Sequence, residues 1–154
     1  MFRGILSTIY IDCEKNVTQN KIISKLKSFY KDKFYVNEDF ENNKYTLINF
    51  WASWCAPCRI EHQYLMQLAN QKNIKILGVN FKDKKTNALK FLKDLGNPYD
   101  YLAKDSQGKQ SVSFGVYGIP ESILIDNKLI ILKKVIGPLN SQDLKEINKI
   151  IKNL

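Results

Sequence analysis

The sequence predicts a single α/β domain built on a mixed central sheet, with helices on both faces. Three apolar segments, at 45–51, 74–80 and 123–125, have the composition of buried strands. A helical pattern follows each of the first two segments, and a hairpin partner and a last helix follow the third. This order of strand, helix, strand, helix, hairpin and helix requires both parallel and antiparallel neighbours in one sheet.

Local signals set the bounds of the predicted elements. Pro57 stands where a helix has just begun, and apolar residues then recur at helical spacing. Thr86 is a candidate cap for the next helix, which Gly96 ends. From residue 45 the predicted elements are a strand at 45–51, a helix at about 56–70, a strand at 74–80, a helix between Thr86 and Gly96, a short strand at 99–103, a hairpin of 123–125 with 129–135, and a last helix capped by Asn140 or Ser141.

Residues 1–40 form a predicted N-terminal extension ahead of a domain at 41–154. The extension carries a short amphipathic helical pattern at 19–30 and a candidate edge strand at 34–36. Its apolar run at 4–11 resembles a weak signal-peptide core, but no small-residue cleavage site follows. The sequence holds no apolar run of roughly 18 residues, so it predicts no membrane span.

The composition is that of one globular domain with a basic surface. The chain has 154 residues, enough for a buried core. Its 24 Lys and Arg residues outnumber its 15 Asp and Glu residues, which gives a formal net charge of +9. These cations are spread along the chain without a basic block, a distribution that favours a solvated surface over a nucleic-acid site.

A Cys-x-x-Cys pair, Cys55 and Cys58, stands between the strand at 45–51 and the helix that follows it. This order places Cys55 at a helix N-terminus, where unpaired N–H groups and the helix dipole favour a thiolate over a thiol. Cys58 comes one turn later, faces inward and lies within disulfide range. The pair therefore predicts a two-electron switch in which Cys55 attacks a partner's disulfide and Cys58 resolves the mixed disulfide.

Other readings of the pair are weaker. Zinc would need Cys13 and His62 as further ligands, and no second closely spaced ligand pair exists. Haem attachment is excluded because Arg59, rather than histidine, follows Cys58. A purely structural disulfide remains open, although so short a loop removes little entropy from the unfolded chain. Cys13 itself is expected to be an incidental free thiol.

The chain resembles a known family over about residues 45 to 140. Trp-Cys-x-x-Cys at a strand-to-helix turn, with Ile119-Pro120 before a later strand, resembles the thioredoxin fold. The similarity extends to the thioredoxin-like reductants of bacterial cytochrome c maturation, the CcmG/DsbE type within the TlpA/ResA-like branch. The segments that carry it are 50–62, 95–99, 115–122, 125–126 and 137–139. Compared with plain thioredoxins, residues 86–103 look like the extra helix and strand of this branch.

The resemblance implies a thiol–disulfide oxidoreductase that needs no cofactor. The expected substrates are the disulfides of apocytochrome c haem-attachment cysteines, or of a haem-lyase-type partner that handles them. The expected electron donor is a membrane-embedded thiol reductant, and nucleic acid is not an expected partner. The family works in the periplasm, so we expect a periplasmic monomer, either free or attached to the membrane. The alternatives are a general thioredoxin-like reductase or disulfide isomerase, and a thioredoxin-fold binding module without turnover.

The same resemblance assigns roles around the cysteines. Pro120 is expected to be a cis-proline facing the disulfide, which would leave the Ile119 backbone ready to pair with an extended substrate. Trp54 is expected to frame the site, with Tyr117 along the groove, and Trp51 is expected to fill the core.

A proton carrier for Cys58 is not obvious from the sequence. Asn49 stands where thioredoxins carry a buried acid beneath the cysteines, and an amide cannot carry the proton. Glu61, one turn after Cys58, and Glu121, next to Pro120, are the candidate acids, and either would raise a thiol pKa by its negative charge. His62, the single histidine, is expected on the helix surface.

Overall fold

The computed structural model describes residues 44–153, and these contain five strands and four helices. Cys13, the extension at 1–40 and its predicted helix and strand lie outside the described residues. The elements in chain order are β1 (Tyr45–Trp51), α1 (Ala56–Ala69), β2 (Ile74–Phe81), α2 (Lys85–Leu95), β3 (Tyr101–Asp105), α3 (Lys109–Ser113), β4 (Glu121–Asp126), β5 (Ile131–Ile136) and α4 (Ser141–Asn153).

The strands form one mixed sheet in the order β3-β2-β1-β4-β5, which confirms the predicted fold class. The strand β1 runs parallel to β2, and β2 runs parallel to β3. The hairpin of β4 and β5 is antiparallel, and β4 joins β1 in the antiparallel sense. In this register Asn49 at the centre of the sheet lies between Gly78 and Ser122. The carboxyl ends of β1, β2 and β3 therefore meet the start of β4 and the end of β5 at one edge of the sheet.

Side chains of β1 alternate between two hydrophobic clusters. Leu47 and Trp51 belong to a cluster that also holds the buried apolar residues of α1, α2 and α4 and both cysteines. Ile48 and Phe50 belong to the cluster on the other face. On that face the residues just after α3 cover the sheet, and the Phe114 ring lies 5.9 Å from the Phe50 ring.

The inserted helix and strand pack against the centre of the first cluster. Phe91 of α2 and Tyr99, just before β3, both lie against the Trp51 indole, with ring centroids 5.2 Å apart in each case. The three rings bury a large apolar area and add favourable ring geometry. Trp51 therefore fills the core, as predicted.

Several predicted bounds are wrong by one or two residues, and local side-chain bonds explain most of the differences. The helix α2 begins at Lys85, with Lys84 in the cap position, so Thr86 lies inside the helix rather than capping it. The strand β3 begins at Tyr101 because the Asn97 side chain accepts from the Tyr99 N–H (3.1 Å) and holds a turn there.

The predicted hairpin starts its second strand too early. Asp126 accepts from the N–H groups of Lys128 (2.9 Å) and Ile130 (2.8 Å), which lengthens the turn, and Leu129 takes a positive φ of 64°. The strand β5 therefore begins at Ile131.

The predicted start of the last helix is correct. Asn140 caps α4, since its side-chain oxygen accepts from the N–H groups of Gln142 and Asp143.

The short helix α3 was missed, because its five residues carry too few apolar positions to show a helical period. Within residues 44–153, no helix has both the length and the apolar character to cross a membrane.

Gly78 provides a test of the central packing. A Cβ at this position would lie 2.7 Å from the Tyr99 ring, which is itself stacked on the Trp51 ring. We expect Gly78→Ala to lower the free energy of unfolding by about 1–3 kcal/mol through overpacking, as measured by urea denaturation. Gly118→Ala is the matched control, because a Cβ there meets nothing within 4 Å. An equal effect of the two substitutions would contradict the described packing.

Candidate active site

The cysteine pair occupies the first turn of α1, as the sequence predicts. Cys55 is the N-cap residue, with an extended backbone, and its sulfur accepts from the Cys58 N–H at 3.2 Å. Pro57 lies in the first turn, where its missing N–H leaves no bond unmade. The two sulfurs are joined as a disulfide. The cysteine pair therefore sits where the helix N-terminus favours a negative sulfur.

Cys55 is buried although it stands at the very start of the helix. Only 5% of its surface is accessible, against 2% for Cys58. In the disulfide form Cys55 belongs to the same buried core cluster as Cys58. Trp54 instead supplies the exposed surface beside the pair, with 58% of the residue accessible.

A buried hydrogen-bond network joins the sheet to α1 in the turn after Cys58. The Asn49 amide donates to Glu61 Oε1 at 2.8 Å and to Ser122 Oγ at 3.0 Å. The Tyr99 hydroxyl donates to Asn49 Oδ1 at 2.9 Å, and the Leu139 N–H donates to Glu61 Oε2 at 2.8 Å. Residues 49, 61, 99, 122 and 139 thus form one network, which joins β1, α1 and β4 to the segments that precede β3 and α4.

Glu61 is the acid at the centre of this network. Its side chain is fully buried, and burial raises its pKa to about 7 even though the bonds from the Leu139 N–H and the Asn49 amide act in the opposite direction. Burial first, and the nearby Glu61 charge second, raise the pKa of Tyr99 well above its usual value, so Tyr99 remains a hydrogen-bond donor. Glu61 follows Cys58 by one turn on the buried face of α1.

Glu121, the other candidate acid, bonds to a different set of partners. Its Oε2 forms an ion pair with Lys134 Nζ at 2.9 Å. Its Oε1 accepts from the N–H groups of Tyr117 (3.2 Å) and Gly118 (3.3 Å). Lys134 also donates to the Gly115 carbonyl, so this pair holds the whole loop before Pro120.

The loop before β4 presents an exposed, uncharged surface. The Ile119–Pro120 peptide bond is cis, and the Pro120 carbonyl accepts from the Gly137 N–H at 3.0 Å. Ile119 packs against the cluster that contains both cysteines. Tyr117 projects outward with 86% of its surface accessible.

Asp83 is a residue of this site that our sequence analysis missed. Its carboxylate accepts from the Ser53 N–H (2.7 Å), the Ser53 hydroxyl (2.9 Å), the Asn80 amide (3.0 Å) and the Lys84 N–H (2.8 Å). Burial alone would raise the pKa of Asp83, but these bonds together lower it below its usual value. The carboxylate thereby fixes the turn that leads into Cys55.

Asp83 could have been identified from its position in the sequence. It follows the carboxyl end of β2, and the carboxyl ends of parallel neighbours such as β1 and β2 meet at the same edge of a sheet. The same loop holds Trp54, whose indole N–H donates to the Lys82 carbonyl at 3.2 Å.

The predicted surface position of His62 is wrong. The ring is buried, its Nε2–H donates to the Gly96 carbonyl at 3.0 Å, and it meets the Phe91 ring edge-on. The inserted helix α2 covers this face of α1, which the helical pattern of α1 alone does not reveal. Burial lowers the pKa of His62, although the bond to Gly96 opposes the shift, so the ring is a neutral donor. Among residues 44–153, no His, Cys, Asp and Glu side chains converge to hold a metal ion.

Comparison with known protein families agrees with this geometry. The Redoxin family model matches residues 31–151. The chain belongs to the Redoxin family. The match covers every described strand and helix as far as residue 151, including the cysteine pair and the inserted α2 and β3.

Individual relatives of this redoxin support the resemblance to the CcmG/DsbE type. It is 44% identical over 117 residues to the thiol:disulfide interchange protein DsbE of Pasteurella multocida, which covers 76% of this chain and 64% of that protein. It is 48% identical over 103 residues to the thiol:disulfide interchange protein CycY of Rhizobium leguminosarum bv. viciae, covering 67% of this chain and 55% of that protein. The chain thus spans less than two thirds of the length of these relatives.

Solved structures show the same fold. A thiol:disulfide interchange protein from Bacteroides sp. matches with a TM-score of 0.62 and 26% identity, covering 75% of this chain and 77% of that one. StoA from Bacillus subtilis matches with a TM-score of 0.56 and 27% identity, covering 69% of this chain and 83% of that one.

The raised pKa of Glu61 makes stability depend on pH in a stated direction. Below pH 4.5 both the folded and the unfolded chain hold the proton; between pH 4.5 and about 7 only the folded chain holds it. The free energy of unfolding of the oxidised protein should therefore fall by up to about 3 kcal/mol as pH rises through this window and then level off.

Glu61→Gln should be less stable at low pH, because its amide cannot accept both hydrogen bonds, and should lack this fall. Urea denaturation of both proteins at half-unit pH steps measures the difference. If the free energies of unfolding of the two proteins changed in parallel with pH, burial would not raise the pKa of Glu61.

Proposed function

We propose that this redoxin is a thiol–disulfide oxidoreductase that works as a reductant. Its substrates are the disulfides of apocytochrome c haem-attachment cysteines or of a partner protein in cytochrome c maturation. The observation that carries the proposal is the Cys55–Cys58 disulfide at the N-terminus of α1, one turn before the buried Glu61. The relatives named thiol:disulfide interchange proteins support the same reaction class.

The reaction begins after a membrane-embedded thiol reductant has supplied two electrons and two protons to the disulfide. The Cys55 thiolate attacks one sulfur of the partner's disulfide. A Cys55–partner bond forms, the partner's S–S bond breaks, and the second partner sulfur leaves as a thiolate. The N-terminus of α1 favours the attacking thiolate, because its N–H groups and dipole stabilise negative charge at the N-cap position.

Cys58 completes the reaction. Its thiolate attacks the Cys55 sulfur, re-forms the Cys55–Cys58 bond and releases the first partner sulfur as a thiolate. Two electrons pass from the protein to the partner, whose two thiolates take up protons. The Cys58 thiol must lose its proton before this attack. We assign that proton to Glu61, because a carboxyl with a pKa of about 7 exchanges protons readily at neutral pH.

Asn49 serves Glu61 rather than the thiols directly. It cannot carry a proton, but it holds one Glu61 oxygen through its amide and is itself held by Tyr99 and Ser122. The orientation of the carboxyl group is thereby fixed. The buried acid of thioredoxins is thus replaced by an amide on β1 and an acid on α1.

The loop before β4 supplies the substrate groove in this proposal. The Ile119 backbone, ahead of the cis bond to Pro120, pairs with an extended partner segment as an added strand. Trp54 and Tyr117 flank that segment with exposed rings. Glu121 holds the loop and tunes the site charge, and its ion pair with Lys134 offsets part of that charge. We further propose that the protein works as a monomer in the periplasm.

The roles of the two cysteines are tested by trapping. Cys58→Ser should accumulate a mixed disulfide with an oxidised Cys-x-x-Cys-His peptide, because Cys55 attacks and no Cys58 thiolate is present to release the reduced peptide. Cys55→Ser should trap little of the same peptide. Mass spectrometry of acid-quenched mixtures measures both products.

Cys13→Ser provides the matched control and should leave trapping by the Cys58→Ser protein unchanged. A second disulfide of similar potential, without the haem-site sequence, tests substrate choice and should be trapped less. Trapping by Cys55→Ser alone would reverse the assignment. Equal trapping of both disulfides would leave the exchange chemistry standing and remove the haem-site preference.

A further inference from the structure

The edge of the sheet that carries the disulfide has an unusual distribution of charge. Exposed cations follow the carboxyl ends of β2 and β3 or lie in the first turn of α1; we name Arg59, Lys82, Lys84 and Lys109 the basic rim. Lys85 is also exposed in this region. No exposed carboxylate accompanies these cations in the segments 51–61, 81–85 and 105–121.

Every carboxylate in those segments is buried and bonded internally. Glu61 and Asp83 are held as described above. Asp105 accepts from the Ser111 N–H and the Ser111 hydroxyl, each at 2.8 Å. Glu121 is paired with Lys134. The negative charges of this edge are therefore shielded from an approaching partner, whereas the basic rim is not.

Hydrogen bonds place the basic rim beside the cysteine turn. The Lys82 carbonyl accepts from the Trp54 indole, and Asp83, the next residue, holds Ser53. The Lys82 N–H donates to the Asp105 carbonyl at 2.9 Å.

Two further contacts connect the remaining members of the rim. The Lys82 side chain passes over Gly108, whose φ is +75° and where a Cβ would lie 2.5 Å from Lys82 Cε, so Lys109 is the next residue along this surface. The Arg59 guanidinium lies over the Phe91 ring at 4.8 Å, and Phe91 belongs to α2, the helix that begins directly after Lys84.

The opposite side of the site carries no charge at its surface. Its exposed residues include Tyr117, Gly118 and Ile136, and Ile136 pairs with Glu121 at the end of the hairpin. A partner segment that lies along Ile119 would therefore meet uncharged groups on one side and the basic rim on the other.

We propose that the basic rim selects partner proteins whose disulfide is flanked by acidic residues. This inference rests on the thiol–disulfide exchange proposed above and adds the chemistry of the partner. Unlike charges across an interface raise the association rate and set orientation more than they raise final affinity. The rim adjoins a disulfide, so the favoured occupant is a disulfide-bearing protein rather than nucleic acid or lipid.

The test compares reduction rates of three synthetic peptides that share one Cys-x-x-Cys disulfide. Two flanking positions on each side carry Glu, Gln or Lys. At low ionic strength the reduced full-length protein should react with the Glu peptide at least about threefold faster than with the Gln peptide, and with the Lys peptide more slowly. This preference should disappear near 0.5 M salt, where the Debye length is only about 4 Å and charges farther apart than this are largely screened. Rates are read from free peptide thiols in acid-quenched samples.

Two double variants locate the effect. Lys82→Gln/Lys84→Gln should lose most of the preference for the Glu peptide. The matched control, Lys72→Gln/Lys128→Gln, removes the same charge at the opposite edge, where Lys72 precedes β2 and Lys128 follows β4, and should keep the preference. All three proteins should reduce 2-hydroxyethyl disulfide, which is small and uncharged, at equal rates.

Each remaining result overturns the proposal. Equal rates for the three peptides at low salt, with normal reduction of 2-hydroxyethyl disulfide, would remove the partner assignment and leave the proposed function intact. A loss of preference in the control variant equal to that in the rim variant would assign the effect to the net charge of the whole molecule. Failure to reduce any of these disulfides would overturn the proposed function together with this inference.

Discussion

The hydrogen bond between Asn49 and Glu61 is the interaction on which the site depends most. It connects the central strand to the helix that carries both cysteines, and its partners bring in Tyr99, Ser122 and the Leu139 backbone. A carboxyl group without these partners would be too costly to bury in this core. With them the group is retained, and its raised pKa of about 7 supports the role of proton acceptor that we propose for it.

The other acids around the disulfide are likewise buried together with their hydrogen-bond partners. Asp83 fixes the turn before Cys55, and Glu121 with Lys134 fixes the loop before Pro120. Each acid close to the site is therefore used to position backbone. The cations of the basic rim remain exposed, whereas the acids nearby are buried. The edge of the sheet that carries the disulfide therefore has a positive surface although its sequence contains several acids.

The sequence predicted the elements whose signals are local. The strand at 45–51, the cysteine pair at the helix start and the order of the later elements follow from apolar patterns and from Pro57, and all were found. What failed depended on contacts between distant residues. His62 is buried because an inserted helix lies over it, and Asp83 becomes part of the site only when β1 and β2 align. Glu61 and Glu121 were named as candidate acids, but the partners that distinguish them, Leu139 and Lys134, lie too far away in sequence to be read from spacing.

The reduction potential of the Cys55–Cys58 pair decides whether this site can donate electrons to a partner's disulfide. The protein would be equilibrated with glutathione redox buffers at pH 7 and its thiol state read after alkylation. We predict a reducing value, between about −270 mV, as in thioredoxin, and about −180 mV. A value near −120 mV is that of a strong disulfide donor and would show that the site does not work as a reductant.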